Sequence, residues 1–148
     1  MEIRNGRGIR FELGAYELDV DVGRTRAFCD RDAGIACACD GCRNYQKAAA
    51  AFPAAVRDFL ESLGLAPEKP AEVYVNCAEA EGMRLSYGGF YHLCGVIRRG
   101  EGVVRLAEGY RVWFRSECDL IADDFPRPAV QMEIDFHVPW VLDEENTY

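Results

Sequence analysis

Val130-Gln-Met-Glu-Ile-Asp-Phe-His-Val138 alternates apolar and polar side chains without a break. A strand turns successive side chains to opposite faces, so Val130, Met132, Ile134, Phe136 and Val138 share one face and Gln131, Glu133, Asp135 and His137 the other. One buried and one wet face marks an antiparallel sheet, because a parallel strand covered on both sides reads as a continuous apolar run. The same period governs the segments upstream. Tyr110–Arg115 and residues 103–106 read as strands, and residues 83–97 as a long one with Phe90, His92, Cys94 and Val96 on one face and Tyr91, Leu93 and Ile97 on the other. Gly88-Gly89 inside it predicts a bulge or a close backbone approach. Val73, Val75 and Cys77 are expected on one face of a preceding strand, and residues 9–13 and 16–22 pair as a hairpin about Gly14.

Between hairpin and long strand the period changes. Asp21 is placed to cap a short helix over residues 24–29, and Asp40 to cap one over about 41–51 that lines up Tyr45, Ala48, Ala49 and Phe52. Pro53 opens another helix, in which Val56, Phe59, Leu60 and Leu63 recur at helical spacing until Gly64. Strands before and after a helical insertion predict an α+β fold: a mainly antiparallel sheet of five to seven strands packed against two central helices.

A chain of 148 residues forms one domain, 1–148, with a core of its own. No apolar run reaches membrane-spanning length and no leader pattern opens the chain, so it reads as soluble and cytoplasmic. The formal net charge of −8 repels phosphate backbones, which argues against nucleic acid as a partner. Nine acidic residues and one basic, Arg127, fall between 117 and 148, a solvated face or a dock for a basic protein.

Seven cysteines is an odd number for an extracellular disulfide framework, and reduced thiols or metal ligands fit better. Cys77, Cys94 and Cys118 lie in or beside strand-like segments and are expected as small buried apolar residues. Cys37-Ala-Cys39-Asp-Gly-Cys42 packs three thiols into six residues where a loop enters a helix. Zinc takes four ligands, often thiolates, so Cys37, Cys39 and Cys42 make three of a set and Cys29 the expected fourth, ahead of His92 or Asp40. Cys39 and Cys42 also form a Cys-x-x-Cys pair at a helix N-terminus, where the macrodipole favours a thiolate and Arg43 could assist. Structural zinc, thiol chemistry and inert thiols all remain open. His92 reads as a hydrogen-bonded core residue and His137 as a surface one, and no convincing catalytic set is present.

Cys39-Asp-Gly-Cys-Arg-Asn-Tyr45, Phe59-Leu-Glu-Ser-Leu-Gly64, Pro70-Ala-Glu-Val-Tyr74, Tyr87-Gly-Gly-Phe-Tyr91 and Pro139-Trp-Val-Leu142 together resemble a family of uncharacterised bacterial proteins of this length, found chiefly among Firmicutes. The resemblance implies a bacterial setting and no particular activity. Two functions follow from the residues: a binding or adaptor module for a protein or small molecule, built around a cysteine cluster that could hold zinc, or an enzyme using Cys39 or Cys42 as nucleophile. Tyr74, Tyr87, Tyr91 and Trp140 would form the contact surface of the former if exposed on one face, and core packing is the competing role.

Overall fold

The computed structural model describes residues 2–4 and 8–148, and within 2–4 the backbone alone. The α+β architecture is as predicted. Among the described residues eight strands form one antiparallel sheet: β1 (Glu2–Arg4), β2 (Gly8–Leu13), β3 (Tyr16–Val20), β4 (Glu72–Glu79), β5 (Arg84–Arg99), β6 (Val104–Ala107), β7 (Tyr110–Arg115) and β8 (Ala129–Pro139). Short β1, which the sequence reading omitted, adds an eighth strand to the expected five to seven. The helices are α1 (Val22–Arg31), α2 (Asp40–Ala48) and α3 (Ala54–Ser62), and no helix among the described residues is long and apolar enough to cross a membrane.

Strands run in the order β1-β2-β3-β5-β8-β7-β6, with β4 also on β5. Long β5 is the spine. One edge pairs with β8 from Arg84↔Pro139 to Cys94↔Ala129; the other carries β4 at its start and β3 at its end. The gap between β4 and β3 is filled by α1. Asp21 N donates to Cys94 O at 2.7 Å, Cys94 N to Thr25 Oγ1 at 3.0 Å, and Ala71 N to Phe90 O at 2.9 Å. The edge groups that two strands leave bare are thus paired by a helix and a loop, as buried backbone requires. Asp21 caps α1 as expected, accepting from Arg24 N at 3.1 Å.

α2 and α3 pack on the face bearing Leu85, Tyr87, Tyr91 and Leu93 of β5 and the even residues of β8. Tyr45 of α2 is wholly buried, edge-on to Tyr87 and Phe52, and its hydroxyl meets that of Tyr91 at 2.7 Å; Tyr91 donates onward to Pro67 O at 2.6 Å. The opposite face is less wet than its sequence suggests. Gln131 was expected in solvent and is fully buried, because residues 116–126 fold over it and Asp119 N donates to Gln131 Oε1 at 2.7 Å. Cys77 departs the other way. An extra residue, Asn76, interrupts the β4–β5 register between Val75 and Cys77, and the bulge turns Cys77 outward on an edge strand. Cys94 is buried as predicted and Cys118 half-buried. Gly88-Gly89 is a close approach: a Cβ on Gly89 would stand 2.3 Å from Glu72 O, and one on Gly88 would meet the Tyr74 ring at 2.4 Å.

Candidate metal centre

The three cysteines of the six-residue cluster come together at the first turn of α2. The Sγ atoms of Cys37, Cys39 and Cys42 all lie within 4.8 Å of one another, close enough to hold a metal ion. Three thiolates around a tetrahedral zinc stand roughly 3.8 Å apart, given Zn–S bonds of about 2.3 Å. Closing the set therefore takes at most a small inward movement of side chains, two of which are exposed.

The helix cap differs from expectation. Cys39, not Asp40, is the N-cap of α2; its Sγ accepts from Cys42 N at 3.5 Å, and Cys37 Sγ accepts from Cys39 N at the same distance. Sulfur takes the Cys42 amide of the first turn, so the Asp40 carboxylate is released to pair with Arg43, which also reaches Glu144 at 3.2 Å. Backbone N–H groups aimed at sulfur favour its ionised form. The Cys42 amide, and then the Cys37 side chain, draw the Cys39 thiol down to about 7. Burial, reinforced by the neighbouring Cys39 sulfur, pushes Cys42 far upward. Without a metal the pair holds one ready thiolate beside one reluctant thiol.

What fixes the turn comes from far along the chain. Tyr87 of β5 donates to Gly41 O at 2.5 Å. Buried Asn44 donates to Pro139 O at 3.1 Å and to the Tyr87 oxygen at 3.3 Å, and accepts from Val141 N at 2.7 Å. Residues 140–148 then run across the cluster, held by Trp140 Nε1 on Glu144 O and Asn146 Nδ2 on Gly82 O, both at 2.7 Å. The Tyr148 hydroxyl accepts from Gly41 N at 3.1 Å and lies beside the Cys39 thiol. Gly41 has no room for a side chain: a Cβ would stand 2.7 Å from the Tyr148 oxygen and 2.8 Å from Val75 Cγ2. Nothing local in the sequence marked Tyr148 or Tyr87 as part of this site.

Cys29, the expected fourth ligand, stands outside the group. Its buried Sγ accepts from Ala66 N at 3.2 Å, and burial raises its pKa. Its place is the seam between the end of α1 and residues 65–70, where Lys69 Nζ donates to Cys29 O at 2.9 Å. His92 is likewise remote, bonded to Gln131 on the other face of the sheet. His137 lies between Glu79 Oε1 at 2.6 Å and Asp135 Oδ1 at 3.3 Å. Tyr87 and Tyr91 are buried, which removes them from any contact surface, while Tyr74 is exposed.

Compared with family models, curated proteins and solved structures, the chain matches none.

Proposed function

We propose that Cys37, Cys39 and Cys42 hold one zinc ion as thiolates and that the chain is a binding or adaptor module whose cluster is a structural pin. The convergence of three sulfurs within 4.8 Å carries the reading. Such an ion would clamp residues 32–39 to the start of α2 and, where Tyr148 rests on Gly41 beside Cys39, to residues 140–148. The Tyr148 oxygen is the donor at hand for a fourth position, with water as the alternative. Seven unpaired cysteines favour the reducing cytoplasm of a bacterial cell, in keeping with the resemblance in sequence.

A second reading rests on the opposed behaviour of Cys39 and Cys42. Exposed Cys39, as thiolate, would attack a sulfur of a substrate disulfide and expel one substrate thiolate. Cys42 would then attack the Cys39 sulfur, releasing the second thiol and leaving a Cys39–Cys42 disulfide; the substrate disulfide is the oxidant.

Elemental mass spectrometry on protein purified without a metal-affinity tag, with thiol titration before and after chelation, separates the two. The metal reading expects about one zinc per chain and three thiols that become reactive only after chelation. Metal-free protein in which Cys39 alkylates fastest and a Cys39–Cys42 disulfide forms in glutathione buffer would establish the second reading instead.

A further inference from the structure

The face of the sheet away from α2 and α3 carries a cavity of about 150 Å³, lined by Phe28, Lys69, His92 and Phe125. Its polar groups are already engaged: His92 bonds Gln131 Oε1 at 2.9 Å and the Asp119 backbone, and Lys69 Nζ donates to Cys29 O at 2.9 Å. The cysteine corner differs. Its three sulfurs stand within 4.8 Å of one another, no disulfide joins them, and Cys37 and Cys39 face solvent. Soft ligands of this kind select soft ions, and the question is which ion three of them suit.

Ligand number is the first guide. Among the described residues no histidine, carboxylate or further cysteine joins Cys37, Cys39 and Cys42. Asp40, the nearest carboxylate in sequence, is taken by Arg43. Zinc therefore reaches four ligands here only by drawing in water or the Tyr148 oxygen. That oxygen already accepts from Gly41 N, and a phenol keeps its proton at neutral pH. Trivalent arsenic has no such need: it is pyramidal, takes three sulfurs, and carries a lone pair where a fourth ligand would stand.

Charge is the second guide. Three thiolates on a divalent ion leave one negative charge, set beside Asp40 and Glu144, which share Arg43, in a chain of net charge −8. Cys42 adds to that cost, because its sulfur is 7% exposed and packs into the apolar core, where a charge is expensive. Three sulfurs on trivalent arsenic form a neutral group. Arsenous acid is itself small and uncharged, so an acidic surface does not repel it, and the two exposed sulfurs are open to it.

We infer that Cys37, Cys39 and Cys42 form a binding site for trivalent arsenic, taken up as arsenous acid. The inference rests on reading the three sulfurs as one ligand set, not on their holding zinc. Three As–O bonds break and three As–S bonds form; each thiol proton leaves with a hydroxide as water, and nothing is oxidised or reduced. Where zinc is bound, it departs as the aquo ion and three protons from solvent complete the waters. The test is intact-mass spectrometry of the full chain, chelator-treated and then zinc-loaded, after addition of arsenite. The expected product gains one arsenic, loses three hydrogens and forms in both preparations, with zinc released from the second. Phenylarsine oxide, whose arsenic already carries a carbon, should block two of the three thiols and leave one to alkylate. Cys37→Ser, Cys39→Ser and Cys42→Ser should each weaken arsenite retention about a hundredfold, since each removes one arm of a chelate. Cys77→Ser and Cys118→Ser should bind as the parent does. No arsenic adduct, equal retention by Cys37→Ser and Cys39→Ser, or the same thiol count blocked by arsenite and phenylarsine oxide overturns the inference. Both of those cysteines are exposed, so their variants decide even where Cys42→Ser misfolds. Protein that holds zinc yet takes no arsenic keeps the structural-zinc reading and loses this one; metal-free protein that takes arsenic on three sulfurs does the reverse.

Discussion

The cysteine corner and the His92 cavity lie on opposite faces of the same β5 strand, and they are built in opposite ways. The corner draws its three reactive atoms from six consecutive residues, and a helix turn brings them together. The cavity draws Phe28 from α1, Lys69 from a loop, His92 from β5 and Phe125 from the segment before β8. Local geometry can make the first almost unaided, whereas the second exists only once the sheet is assembled. The difference teaches what each site should survive.

Breaking the sheet should abolish both. Gly89→Ala drives a Cβ into Glu72 O at 2.3 Å and parts β4 from β5, so a loss of about 3 kcal/mol is expected in urea unfolding, with the cavity and the Tyr87–Gly41 bond lost together. Removing metal should touch the corner alone. Chelation, or Cys37→Ser, Cys39→Ser or Cys42→Ser, is expected to lower Tm by about 5–10 °C, equivalent to roughly 2–3 kcal/mol at this size, and to raise amide exchange in residues 32–39 and 140–148 but not in residues 119–131. An unchanged Tm in all three variants would show that the cluster holds no structural ion.

Asn44→Ala sharpens the contrast by freeing residues 139–148 without disturbing a cysteine. It leaves Pro139 O and Val141 N short of their partner and should cost about 2 kcal/mol, with faster alkylation of Cys42 and no change on the cavity side. The thiols themselves should differ with pH. In metal-free protein the folded state depresses the Cys39 pKa to about 7, so the stability this contributes is complete above the unfolded value near 9 and lost as pH falls through 7. Iodoacetamide labelling reports it directly: the Cys39 rate should level off above pH 7 and fall about tenfold per pH unit below, while Cys42, with its raised pKa, stays slow throughout. The smallest effect is expected from Arg43→Gln. Its pairs with Asp40 and Glu144 are solvent-exposed, so Tm should stay unchanged, which would place the hold on residues 140–148 in Asn44 and Asn146 instead.

Periodicity made most of the fold legible. Alternation in β8 identified an antiparallel sheet, and the 3.6-residue recurrence of Val56, Leu60 and Leu63 identified α3, whose Gly64 takes the left-handed φ of +91° that a helix stop requires. Alternation failed where a third element intervened. Gln131 carries a polar side chain to a face that residues 116–126 cover, and Asn76 inserts a residue that shifts Cys77 out of phase. Neither event leaves a local trace, because a covering loop and a bulge are settled by distant partners. Within the cluster, Cys37, Cys39 and Cys42 were read correctly as neighbours, since a single turn gathers them. Cys29 was misplaced because closeness in sequence says nothing once α1 sends its end toward Ala66.

The sequence by itself therefore determined the class of fold, the two central helices and the gathering of Cys37, Cys39 and Cys42, because each depends on side-chain period or on a single turn. Tertiary structure alone decided that Tyr148 lies on Gly41, that Asn44 ties down residues 139–141, and that His92 meets Gln131. Those arrangements join residues some 40 to 107 positions apart, and only burial, which forces each polar group to find a partner or an opening, brings them together.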